Sequence, residues 1–283
     1  MVVAPETGAR IRSIIAVGHE WTLVDESDPA DDSFLREGMG GWDEVTPSLA
    51  ASITSDGTAL PDHGEVWNRP WDVTASTPTS LTTRVRLTSS RLTLARHTEI
   101  DASGSLILKY TLTSAESSPT PWYWAAHPQF ASPPGTVLEL DGVADLRTQE
   151  GETRRWTNGD LLATLDAGSC LKLYSTATAS EDGATLRRSD GSWMRLSWLT
   201  PWPASLGLWW DNSRYTREPT VAIEPTTSIL SDSVLHHELV IAPDDTVGWM
   251  VRLEFGLQRA EERRQPLPKA TPLHDAEDDR FNS

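Results

Sequence analysis

Three short segments carry side chains able to move a proton near neutral pH. They are His63 in Pro61-Asp62-His63-Gly64-Glu65-Val66-Trp67, His127 in Trp124-Ala125-Ala126-His127-Pro128-Gln129-Phe130, and Glu224 in Val221-Ala222-Ile223-Glu224-Pro225-Thr226-Thr227. An imidazole, with its ordinary pKa of ~6.5, and a carboxylate at ~4.3 form a competent acid–base pair when folding brings them together. His127 and Glu224 each stand immediately before a proline, which favours an extended residue and removes a ladder donor. The spacing therefore predicts that each closes a strand. His127 in such aromatic company suits a structural or a catalytic role, and Glu224 suits a rim position or a partly buried one. Burial would raise its pKa unless a cation pulls it back.

The densest polar stretch runs from Gly38 to Trp71 and holds Trp42, Asp43, Glu44, Asp62, His63, Glu65, Trp67, Arg69 and Trp71 among several glycines. A loop of this make-up reads either as functional or as a solvated connector whose aromatics pack on a sheet edge. It contains no phosphate-cradling glycine pattern, and no helical pattern follows it. Metal ligation finds little support. His236 and His237 are adjacent on an expected strand and point to opposite faces, and no C-x-x-C or H-E-x-x-H spacing occurs. Nucleophile-elbow chemistry lacks its G-x-S-x-G, and Cys170 reads as an ordinary residue at the start of a strand.

Strands must position these groups. Leu81, Thr83, Val85 and Leu87 alternate with Thr82, Arg84, Arg86 and Thr88, and the same period of two recurs over 91–100 and 106–112, predicting a three-stranded meander. Further strands are expected at 11–17, 20–25, 121–126, 136–140, 171–177, 193–199, 205–210, 220–224, 234–241 and 247–256. About a dozen short strands with turn signals between them predict an all-β fold, a large antiparallel sandwich. Residues 25–32 and 114–121 read as surface loops. The domain is expected over residues 1–257, followed by a polar, mobile tail over 258–283.

The chain has 283 residues, with 24 Lys+Arg against 41 Asp+Glu and a formal net charge of −17. Acidity of that size argues against nucleic acid and anionic membrane surfaces as partners, and leaves neutral small molecules such as sugars open. No apolar run reaches the ~20 residues of a membrane span, no secretory leader is evident, and one cysteine cannot form an intrachain disulfide. A cytoplasmic location is expected. Thirteen tryptophans against four tyrosines and four phenylalanines suit either stacking on sugar rings or a large core.

The order of PDHGEVW, WAAHPQF, LGLWWD (Leu206 to Asp211) and VAIEPTT resembles the aldose 1-epimerase, galactose mutarotase-like family over roughly residues 10–257. The resemblance implies a large galactose mutarotase-like β-sandwich that interconverts the α and β anomers of a free aldose without cofactor or metal. It also implies a catalytic pair, His127 as imidazolium acid and Glu224 as base, with His63 binding the sugar beside them. Trp67, Trp42 and Trp210 are the candidate stacking platforms. The family's arginine, in a Gly-Arg context before the first histidine, has no counterpart here. Arg69 is its substitute by proximity in sequence, and Asp211 is a candidate sugar ligand. A non-catalytic sugar-binding protein on the same fold is the alternative, and cleavage by carboxylates drawn from Asp43, Glu44, Glu65 and Glu224 is a third reading. The small-molecule partner is an aldose, and a homodimer through an exposed sheet is open.

Overall fold

The computed structural model describes residues 1–24, 39–53, 57–143, 145–148, 151–157, 165–176, 178–228 and 239–258. Every regular element among them is a strand, paired antiparallel. The main sheet has 16 strands and curls on itself, so that one surface wraps a common core. The expected pair His236 and His237, the loop at 25–32 and the tail after Gln258 lie outside the described residues.

The predicted meander forms from Ser80–Arg86, Leu92–Ile100 and Leu106–Ser114, with Asp72–Ser76 added at its edge. Its alternation is visible in burial: Leu92, Leu94, Arg96 and Thr98 face inward from one strand, and Leu106, Leu108, Tyr110 and Leu112 from the next. Ser192–Asn212 is a single strand of 21 residues, where two were expected on either side of Thr200-Pro201-Trp202-Pro203. Its first half pairs with Ala179–Arg187 and Thr246–Leu257, and its second half with Ser169–Ser175 and Thr220–Thr226. The prolines fall where the strand changes partners, so no ladder donor is missed.

Ten of the thirteen tryptophans are buried, so most of the tryptophan excess goes into the core. Trp122, Trp124, Trp202 and Trp249 form a ring cluster with centroids 5.0–5.6 Å apart, and Tyr110 stacks on Trp249 at 5.2 Å. Beside it lies a buried charge pair. Arg96 occupies an inward position, fully buried, and meets Glu44 at 2.8 Å and the Ala9 carbonyl. Glu44 also accepts from the Tyr110 hydroxyl and the Trp124 indole, each at 2.8 Å. With three donors on one carboxylate, the desolvation of the pair is largely offset.

Candidate active site

The site is one row of residues running across the strands. Register places Tyr174 opposite Gly207, Gly207 opposite Glu224, and His127 opposite Asp43. The pairing of Ala125 with Thr226 and Gln129 with Ala222 sets His127 opposite Glu224 between them. Residues directly opposite on neighbouring strands share a face, so this row presents its side chains together. Both prolines lie inside their strands, Ala125–Ala131 and Thr220–Thr226, rather than just beyond the ends. Paired partners between these strands are interrupted from Ala126 to Pro128. The expected strand ends are thus corrected to a local gap in one ladder, and His127 and Glu224 face each other across it.

His127 Nε2 lies 3.5 Å from Glu224 Oε1, and both side chains are nearly buried. Gln129 orients the imidazole. Its Oε1 accepts from the Gly40 N–H at 3.0 Å, which leaves its amide N–H to donate to His127 Nδ1 at 3.4 Å. A Gln129 N–H donated to Nδ1 is compatible with a ring proton on Nε2, the nitrogen that faces Glu224. Burial lowers the His127 pKa to about 3, against the opposing pull of Glu224. Burial thus favours the neutral imidazole at this position, whereas the resemblance implies an imidazolium acid.

Burial pushes the Glu224 carboxyl upward, but the Lys172 ammonium, with smaller pulls from His127 and His63, brings the group below the ordinary glutamate value. Lys172 was missed in the sequence. It projects from the strand Ser169–Ser175 and contacts Glu224 Oε2 as an ion pair. Lys172 is opposite Trp209, two residues along the strands from the row and on the same face, and must pass over position 207 to reach Glu224. Glycine there leaves the path open, since a Cβ would stand 2.9 Å from Glu224 Oε2 and 3.6 Å from Lys172 Nζ.

His63 joins the pair from the loop. Its ring meets that of His127 edge to face, with centroids 5.5 Å apart, and its Nδ1 is 2.8 Å from Asp62 Oδ2. His63 and Gly64 have φ of 58° and 73°, and a Cβ on residue 64 would fall 2.1 Å from the Thr46 carbonyl oxygen. Only glycine permits that close approach, which holds the His63 turn over the sheet. At the far end of the row, Asp43 is paired with Arg10 at 2.8 Å, both buried. Arg10 is a second residue the sequence did not disclose as part of the site.

The remaining candidates go elsewhere. Trp42 and Trp210 point to the opposite face and are sealed in the main core, Trp42 with its ring edge against Phe130. Neither can serve as a platform, because strand alternation gives the face of the row to their neighbours Asp43 and Trp209. Trp67 is buried against Met39, with the partly buried Trp209 packed on them. Asp211 is wholly buried and accepts from the N–H groups of Arg214, Tyr215 and Thr216 and from the Thr216 hydroxyl, so it staples a turn and has no surface left for a sugar. Arg69 lies 3.6 Å from Glu65 and lines a cleft of about 530 Å³ with Arg86, Arg91 and Glu116, a set that contains none of the row. Glu65 itself is taken up by Thr88 and Ser89, as Glu44 is by Arg96. Those commitments remove two of the carboxylates that a cleavage mechanism would draw on.

No protein-family model matches the sequence, and no curated protein does. Solved structures do match in fold. The Slr1438 protein of Synechocystis sp. PCC 6803 superposes with a TM-score of 0.74 at 15% identity, covering 90% of this chain and 91% of that one. A galactose mutarotase-like protein from Lactobacillus casei ATCC 334 gives 0.68 at 16%, covering 90% and 96%. A candidate aldose 1-epimerase from Escherichia coli K12 gives 0.71 at 12%, covering 90% and 95%. The chain has a galactose mutarotase-like fold.

Proposed function

We propose that this protein is a cytoplasmic aldose 1-epimerase-type isomerase that interconverts the anomers of a free aldose by ring opening. The observation that carries the reading is the facing of His127 and Glu224 across the interrupted ladder, 3.5 Å apart, with His63 against them. Opening the ring requires loss of the C1 hydroxyl proton and gain of one at the ring oxygen. Glu224, an anion in this setting, takes the first. His127 donates from Nε2 to the ring oxygen and passes its proton across as the C1–O bond breaks. The proton held by Glu224 then refills Nε2, so one proton moves from O1 to O5 and the protein is unchanged. After rotation about C1–C2 the same steps run in reverse on the other face. His63 and Trp209 are the sugar-contacting groups at the margin of the pair.

Polarimetry of freshly dissolved α-glucose and α-galactose tests the reading: the approach to equilibrium should accelerate in proportion to protein concentration. The second reading, a sugar-binding protein without catalysis, draws on Arg69 being engaged with Glu65 instead of the row. Calorimetric sugar binding with an unaccelerated polarimetric trace would decide for it.

The protonation states give a pH dependence. A base works only when ionised, and Glu224 is held below its ordinary value, so the rate should fall only as pH drops through that low value. His127 stays neutral down to about 3. The rate of anomer exchange should thus be flat from about pH 5 to 8, with no inflection near the ~6.5 of a free histidine. A limb centred there that persists in His63→Asn would show that His127 works as an imidazolium.

Position 207 offers a steric test. Gly207→Val inserts a branched side chain where a Cβ already comes 2.9 Å from the carboxylate. Displacing the base by about an ångström should cost on the order of 10²-fold in turnover, while far-ultraviolet circular dichroism stays that of the parent. An unaltered rate would mean that the carboxylate position is not critical.

A further inference from the structure

We propose that Lys172 is a positioning residue of this site: its ammonium, reaching over Gly207 from the second strand away, holds the Glu224 carboxylate in place as an anion facing His127. The proposal rests on the epimerase reading for its purpose, but its geometry is independent of it. Glu224 is 4% exposed in its side chain, and an isolated carboxylate so deeply set would be driven to its neutral form. The charged and titratable groups around it are His127 and, beyond it, Asp43 on one side, Tyr174 and Lys172 on the other, with Tyr123 and His63 nearby. His127 is neutral, the tyrosines are far from ionising because burial and Glu224 both raise them, and Asp43 is committed to Arg10. Lys172 is thus the standing cation of this group that touches the carboxylate.

The placement of Lys172 also has the marks of a built arrangement. Its ammonium lies 5.5 Å from the Tyr174 ring centroid, which steadies the approach from below. Its side chain is 22% exposed, so the ion pair closes the site at its rim while the carboxylate stays inside. A β-branched or larger residue at 207 would block the reach, and the register leaves that place to a glycine.

The test is a side-chain carboxyl titration by ¹³C NMR on the full chain labelled at glutamate, with the Glu224 signal identified by its loss in Glu224→Gln. In the parent its midpoint should lie below the ordinary glutamate value. In Lys172→Met and in Lys172→Gln it should rise by ~1–3 pH units, the shift that loss of an opposite charge at this range produces. Lys172→Arg should return it most of the way. Where anomer exchange is measurable, the acid limb of its rate should move by the same amount in the same variants. A midpoint unmoved in both neutral variants would overturn the role of Lys172 whatever the activity. A shifted midpoint in a chain that never accelerates anomer exchange would uphold the role and sink the epimerase reading instead.

Discussion

Glu224→Gln should reduce the rate of anomer exchange by ~10²–10⁴-fold, the usual contribution of one positioned base, while sugar affinity by calorimetry changes little. The amide keeps the size and hydrogen-bonding reach of the carboxylate but cannot accept the C1 proton. It also leaves Lys172 without its counter-charge at the rim, where water can solvate it. Loss of turnover with binding retained would separate a chemical role from a structural one. Rates like those of the parent would remove Glu224 from the mechanism.

Arg96→Met should lower stability by ~3–5 kcal/mol, because it strands Glu44 as an unpaired acid in the core. Burial already pushes the Glu44 carboxyl upward against the pull of Arg96, and without that cation only the Tyr110 hydroxyl and Trp124 indole remain on it. The measurement is equilibrium urea unfolding followed by tryptophan fluorescence. The double variant Arg96→Met with Glu44→Met should be less damaged than the single one, since it removes the orphaned charge as well. A loss under 1 kcal/mol in the single variant would mean that water or repacking satisfies Glu44 after all. The pair sits one residue from the site, for Glu44 and Asp43 are neighbours facing opposite sides of the same strand, Trp42–Val45. Activity loss in Arg96→Met would therefore follow from displacement of that strand.

The all-β architecture was legible because the strands of the meander have one face towards water. Residues 92–100 and 106–114 alternate cleanly, and their meander formed as read. The strands that build the site are buried on both faces, and there the period disappears. In Leu206-Gly207-Leu208-Trp209-Trp210 nothing in the sequence says which tryptophan faces the core. The register gives Trp210 to the core and Trp209 to the face of the site row. The same ambiguity hid the division between Asp43, which belongs to the site row, and Glu44, which belongs to the core.

The meeting of His127 and Glu224 was expected only through a resemblance in the order of short segments, not from spacing. Lys172 and Gly207 could not have been found that way. Their connection to Glu224 exists only through the alignment of three strands whose residues are 17 to 52 positions apart in the chain. Arg10 was hidden for the same reason, since its partner Asp43 is 33 residues away. Asp211 erred in the other direction. The resemblance offered it as a stand-in for an acidic sugar ligand, whereas the turn that follows consumes it.

The most direct test of the account is saturation-transfer NMR at equilibrium. The α-anomeric proton of glucose, and then of galactose, is irradiated in the presence of parent protein or His127→Asn, and the β-anomeric signal is followed. Transfer to the β signal should scale with parent protein and fall to near the protein-free level for the variant. Saturable binding of either sugar with no transfer above the protein-free solution would contradict it, and so would equal transfer in parent and variant.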